Sequence, residues 1–187
     1  MVKKILLITA GFVLCFNANS FALVDAAGWG GLFMGDGAGG DDTRGGQFGF
    51  KAHYNTSLTP LFELGVGGYY QFSRIVYDDL KLNYDDLKRQ SAGLDVNLIF
   101  SLTPIVNPYF RGTWAFWDKM ENYPDKFYGY PKVTDTKKFR AFGLGAGLEF
   151  TIIPLLRIFG EYMYENTSHY GVTYNFHAFN LGLKLNF

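Results

Sequence analysis

Cysteine is nearly missing from this chain, with Cys15 the single one in 187 residues. One thiol forms no internal disulfide, so stability has to come from burial, hydrogen bonding or a membrane. An excess of either charge is missing too. With 17 basic and 17 acidic residues, the chain has no basic footprint of the kind that nucleic acid attracts. Long hydrophobic runs are also lacking. The one sustained apolar stretch, Ile5 to Phe16, has about a dozen residues, short of the ~20 that a spanning helix needs.

What is present at the start is the pattern of an export signal. Lys3 and Lys4 precede the Ile5 to Phe16 run, and Ser20-Phe21-Ala22 places small residues at the two positions a signal peptidase inspects. Residues 1–22 are therefore expected to be a signal peptide and residues 23–187 a single mature domain. Cys15 does not make a lipoprotein site, because Leu14 precedes it where a small residue is required. Cleavage would remove that cysteine together with two lysines, leaving a net charge of −2.

Glycine and aromatic residues are abundant: 23 Gly, and 19% Phe, Trp and Tyr. Soluble domains carry about 7% Gly. Glycine where a wall is thin or strongly curved, with aromatics in interfacial girdles, suits a small membrane barrel. The C-terminus has the matching alternation. Phe179, Leu181, Leu183, Leu185 and Phe187 alternate with Asn180, Gly182, Lys184 and Asn186. Strand side chains point alternately to opposite faces, so this segment presents one face to lipid and one to a polar interior.

A repeat organises the rest. Leu58-Thr59-Pro60, Leu102-Thr103-Pro104 and Ile152-Ile153-Pro154 stand 44 and 50 residues apart, each between two alternating segments. Proline lacks a ladder donor and belongs at a strand end, so these are read as tight turns. Eight strands are expected, over 27–35, 46–57, 61–75, 89–101, 107–118, 138–151, 155–166 and 173–187. Most reach the ~9–11 residues of a tilted transmembrane strand. The fold class is all-β: an eight-stranded antiparallel up-and-down transmembrane barrel, with periplasmic proline turns and outer loops near 36–45, 76–88, 119–137 and 167–172.

Alternation sorts each strand into two faces. Phe48, Phe50, Ala52 and Tyr54 oppose Gln47, Gly49, Lys51, His53 and Asn55; Leu94, Val96, Leu98 and Phe100 oppose Gly93, Asp95 and Asn97. By the same rule Lys51, Arg111, Arg157 and Lys184 face inward together with Glu63, Asp95, Glu149 and Glu161, four cations against four carboxylates. Turning a Lys or Arg to lipid at the midplane would cost about 2–4 kcal/mol, and an eight-stranded barrel is just wide enough to be filled by its own side chains. A salt-bridged interior without an open pore is expected. His53 is expected to hydrogen-bond in that lumen, and His177 to lie at the interface.

Over residues 23–187 the chain resembles the small eight-stranded outer-membrane barrels, the OmpA-type membrane domain and the OmpX-like group. The resemblance implies a monomer in the outer membrane of a Gram-negative-type bacterium, in contact with outer-membrane lipid and lipopolysaccharide. A closing strand that ends on Phe187 also resembles the C-terminal signature read by the barrel assembly machinery, which implies that role for Phe179, Leu181, Leu183, Leu185 and Phe187.

The outer loops carry the individual features. Tyr77 to Asn83 is followed by a second copy, Tyr84 to Gln90, sharing five identities. It reads either as a solvated hairpin extension or as a recognition or cation site through Asp78, Asp79, Asp85 and Asp86. The Gly- and Asp-rich stretch 35–46 lacks the alternating ligands of a calcium loop and the GK[ST] of a phosphate loop. In 119–137, Tyr123, Phe127, Tyr128 and Tyr130 form either a binding surface or a rim against lipopolysaccharide, with Lys119, Lys126, Lys132, Lys137 and Lys138 as phosphate partners.

Catalysis has little support. Lipid A deacylases carry a His-x-Ser-Asn element, but His177-Ala178-Phe179-Asn180 has Phe in place of the nucleophilic serine. Glu165, Ser168 and His169 are close in sequence, which does not make a triad. No catalytic, metal or cofactor residues are assigned. The expected function is a structural or surface-interacting barrel. The alternatives are a lipid-modifying enzyme and a soluble lipocalin-type carrier, the latter requiring the charges to swap faces.

Overall fold

The computed structural model describes residues 24–36, 42–77, 87–122 and 133–187. The expected signal peptide, the centre of the Tyr77 to Gln90 tandem, residues 37–41, and Tyr123, Lys126, Phe127, Tyr128, Tyr130 and Lys132 lie outside them. The strands are β1 (Val24–Asp36), β2 (Asp42–Thr59), β3 (Phe62–Tyr77), β4 (Leu87–Phe100), β5 (Val106–Asn122), β6 (Thr134–Lys137), β7 (Ala141–Ile153), β8 (Leu156–His169) and β9 (Val172–Asn186). All pairings are antiparallel. β1 pairs with both β2 and β9, and β4 with β5, which closes eight long strands into a barrel; β6 is a short addition on the outer end of β5.

The proline turns lie at one end. Leu61 N donates to Thr59 Oγ1 (3.2 Å), and Thr103 Oγ1 accepts from Val106 N (2.8 Å). Thr151 N then donates to Ile105 O (2.8 Å), and Phe187 N to Val24 O (2.8 Å), which ties neighbouring turns together and the start of β1 to the last residue.

The outer end differs from expectation in two places. The stretch 167–172, expected as a loop, is a two-residue turn at Tyr170-Gly171, with φ of 54° and 78°, so β8 and β9 run to its edge. Gly171 takes the left-handed conformation at little cost. The strand expected over 138–151 begins at Ala141, because Phe139, at φ 58°, turns the chain and separates β6 from β7.

The outward face is apolar. Leu32, Phe50, Phe110, Leu144, Leu181 and Phe187 are each more than half exposed. From Phe62 to Phe72 along β3, ten residues at about 3.4 Å and a tilt near 40° span about 26 Å, matching the ~25 Å apolar band of an outer-membrane barrel.

The lumen is more apolar than the alternation suggests, because two clusters of inward side chains fill it. Trp29, Tyr69, Ile99, Tyr109 and Phe159 form one; Phe33, Ile75, Leu87, Met120, Met163, Tyr174 and Phe176 form the other, towards the outer end. The large rings lie over glycines. A Cβ on Gly49 would come within 2.6 Å of Trp29 Cη2, and one on Gly182 within 2.6 Å of Phe159 Cε1. The small residues leave room inside the wall for these rings.

One irregularity sets the register of the outer half. Ala92 pairs with Trp117 but Gly93 pairs with Ala115, leaving Phe116 as an extra residue on β5. Such a bulge shifts the alternation by one. Arg111 and Ala115 point inward, and beyond the bulge so do Asp118 and Met120.

Candidate functional site

Charged and amide side chains thread between the apolar clusters along the barrel interior. In the periplasmic half, His53 stands between two carboxylates, with Nδ1 2.8 Å from Asp25 Oδ1 and Nε2 3.0 Å from Asp95 Oδ1. Asn55 donates to Asp25 Oδ2 (2.9 Å), and the Arg111 guanidinium donates twice to Asp95 Oδ2 (2.8 and 2.6 Å) while also binding Glu161. Glu161 additionally accepts from Tyr109 OH (2.7 Å) and Asn180 Nδ2 (3.1 Å), and pairs with Lys51 at 3.5 Å. Towards the periplasmic mouth, Lys184 bridges Asp25 (3.3 Å) and Glu149 (2.5 Å), and Arg157 donates to Glu149 at 2.9 Å. The Arg111 guanidinium lies 4.7 Å from the Trp29 ring centroid and Lys51 Nζ 4.5 Å from that of Phe159, within cation–π range.

A second group occupies the outer half. Arg89 donates to Asp118 Oδ1 (2.9 Å) and to Glu165 Oε2 (2.8 Å). Asp118 Oδ2 also accepts from Thr167 Oγ1 (2.5 Å) and lies 3.0 Å from His169 Nε2. Amides join the two groups: Gln71 Nε2 donates to Glu165 (3.2 Å) and to Gln47 Oε1 (3.0 Å), Gln47 Nε2 donates to Asn180 Oδ1 (2.9 Å), and Asn180 leads to Glu161. The contacts form an unbroken chain from Arg157 at the periplasmic mouth to His169 under the outer turn. Unpaired buried charges are costly, and an interior this narrow offers protein partners in place of water.

Of the eight residues singled out in the sequence, Lys51, Asp95, Arg111, Glu149, Arg157, Glu161 and Lys184 meet in the periplasmic-half group. Glu63, half-buried at the start of β3, forms none of these ion pairs. Sequence reasoning missed Asp25, Arg89 and Asp118, and weighed Glu165 and His169 for catalysis only and not for the lumen. Arg89 and Glu165 share the parity of Asp95 and Glu161 and were legible. Asp25 and His169 lie beyond the expected strand ends, and Asp118 is displaced inward by the bulge.

The residues weighed for catalysis are divided by the wall. Glu165 and His169 point inward and are buried, whereas Ser168 between them lies on the outward face. His177 is outward and Asn180 inward; His177 Nδ1 is 2.5 Å from Tyr162 OH in an interfacial cluster where Tyr164 OH donates to Asn175 Oδ1 (2.8 Å). Phe179, Leu181, Leu183, Leu185 and Phe187 all lie exposed on the outward face.

A closed eight-stranded barrel with an apolar exterior and a side-chain-filled interior has a counterpart among known families. The outer membrane protein beta-barrel domain model matches residues 8–187. The chain belongs to this family. Its location is accordingly the outer membrane of a Gram-negative-type bacterium, which also sets aside the soluble carrier. Among solved structures, Neisserial surface protein A is 16% identical with a TM-score of 0.65, the match covering 88% of this chain and 97% of that one. The outer membrane protein OprG from Pseudomonas aeruginosa is 9% identical with a TM-score of 0.51, covering 89% and 97%. At such identities the likeness concerns the fold of this outer-membrane barrel. No curated protein matches it in sequence.

Proposed function

We propose that this outer-membrane barrel is a monomeric, non-catalytic structural protein of the cell surface, with a closed lumen and an outer rim that engages lipopolysaccharide. The observation that carries this reading is the chain of side-chain contacts from Arg157 to His169, packed between the two apolar clusters. A pore would need a water path where these side chains meet. The wall's separation of Ser168 from His169, and of His177 from Asn180, argues against the lipid-modifying alternative. Its similarity in fold to a protein named as a surface protein is consistent with a role at the surface. The exposed stripe from Phe179 to Phe187 is proposed as the segment that the barrel assembly machinery reads.

Planar-bilayer recording of the purified, folded protein tests the closed lumen. Small or absent conductance is expected, and large steady channels from unmodified protein would overturn the reading.

A further inference from the structure

We propose that Lys138 and Arg140, on either side of Phe139, bind a phosphate of one lipid A molecule at the junction of β6 and β7, an inference that rests on the lipopolysaccharide part of the function proposed above. The junction is a break in the wall. β6 stops pairing with β5 at Lys137 opposite Asp118, and β7 takes over at Ala141 opposite Ala115, so residues 138–140 are left out of the ladder. All three are exposed. Phe139 makes the turn at φ 58°, a left-handed conformation that is strained for a bulky side chain. Its carbonyl accepts from Trp114 Nε1 (3.3 Å), and its ring lies 5.8 Å from that of Trp114 and 5.6 Å from that of Phe116 while staying 56% exposed. The strained turn thus adds an aromatic ring to the outward face and sets a cation on each side of it.

The engagements of the neighbouring charges single out these two cations. Lys119 pairs with Glu121, and Lys137 with Asp135 at 3.2 Å, where Asp135 also accepts from Tyr170 N at 2.7 Å. Among the described residues, neither Lys138 nor Arg140 has a hydrogen-bond or ion-pair partner. The exposed Asp36 and Asp42 stand on β1 and β2, three and four strands from β7. The four aspartates of the tandem belong to the connection between β3 and β4, on the other side of β5, and the connection from β5 to β6 carries Asp125 together with Lys126 and Lys132. Height identifies the ligand. From Val106 at the periplasmic end of β5 to Ala115, nine residues at about 3.4 Å and a tilt near 40° rise about 23 Å, close to the top of the ~25 Å apolar band. Trp114, Phe116 and Phe139 are therefore interfacial aromatics, and the two cations beside them stand at headgroup height in the outer leaflet. A lipid with an acyl chain along these three rings would set its phosphate between two cations that have no other partner, and a guanidinium matches phosphate with two parallel hydrogen bonds.

The test compares full-length protein in detergent with a double variant, Lys138→Gln with Arg140→Gln, for binding to lipid A and to enzymatically dephosphorylated lipid A. Each cation at an anionic membrane surface contributes about fivefold, so the double variant should bind phosphorylated lipid A roughly thirty-fold more weakly. Its binding to the dephosphorylated lipid should not change. Equal losses for both lipids, or no loss for either, would overturn the site. Phe139→Gly, which keeps the left-handed turn and removes the ring, should weaken both lipids alike, and a loss for the phosphorylated one alone would overturn the acyl-chain placement. Displacement of lipid A by millimolar inorganic phosphate would overturn the site as well, reassigning the cations to a soluble anion. Faster gel migration of unboiled protein reports folding; if the double variant fails that check, Lys138→Gln alone should show a loss of about fivefold. Unmodified protein that does not bind lipid A would overturn the lipopolysaccharide reading itself, whereas binding that survives in the double variant would overturn this site alone.

Discussion

Arginine 111 and arginine 157 make a paired experiment, because both bind lumen carboxylates but differ in exposure. The Arg111 side chain is 2% exposed, and its partners Asp95 and Glu161 are at 0%. Arg111→Ala removes the double donation to Asp95 and the contact with Glu161, and takes away the cation stacked on Trp29. Lys51, at 3.5 Å, remains near Glu161, and His53 remains on Asp95, so neither carboxylate is wholly abandoned. Breaking a buried pair from one side costs about 3–5 kcal/mol, and these remaining partners place the expectation at the lower end, about 3 kcal/mol. Arg157, 19% exposed at the periplasmic mouth, shares Glu149 with Lys184. Water screens it and a second cation remains, so Arg157→Ala should cost about 1 kcal/mol or less.

Urea unfolding in phospholipid vesicles, followed by the fraction migrating as folded barrel on unboiled gels, gives both values under one condition. A loss for Arg111→Ala no larger than that for Arg157→Ala would refute the reasoning. It would mean that water reaches the centre of the lumen freely, and that the Arg111 contacts do not hold the interior together.

Two more outcomes can be checked by comparable means. Deleting Phe116 should remove the β5 bulge and still leave Trp117 outward and Asp118 and Met120 inward, because Ala115 and Trp117 then alternate regularly opposite Gly93 and Ala92, so Asp118 keeps Arg89, Thr167 and His169; its unfolding midpoint should lie close to that of Phe116→Ala, and a deletion variant that fails to fold while Phe116→Ala folds would remove the bulge argument. Truncating Phe187 should lower the amount of folded barrel in outer-membrane fractions, and normal levels of the truncated protein would dismiss its role in assembly.

Much of the barrel was legible because a membrane wall imposes a strict rule on its strands. Phe48, Phe50 and Tyr54 against Lys51, His53 and Asn55 can be sorted by position alone, since lipid penalises a charge on the wrong face. The three proline turns supplied the strand count. Strand ends were harder to place, because that penalty fades near the interfaces: β1 begins at Val24 rather than 27, and β8 and β9 run to a two-residue turn. Hence Asp25 was passed over, and His169 was weighed for catalysis and not for the lumen, although both are fully buried.

Asp118 illustrates a different obstacle. Counting in twos from Arg111 puts Trp117 inside and Asp118 in lipid, an arrangement with an aspartate among Phe116, Trp114 and the outer aromatics. The bulge reverses it: Trp117 joins the belt beside Tyr70, and Asp118 enters the lumen to receive Arg89, Thr167 and His169. The extra residue lies beside Gly93, where a Cβ would come within 2.6 Å of Ala115 Cα, so the pairing strand has no side chain to obstruct the distortion. The sequence signal was therefore a local contradiction, an acidic residue falling on the lipid face next to a cross-strand glycine. In a barrel wall the least costly resolution of that contradiction is a one-residue slip, which relocates every side chain beyond it.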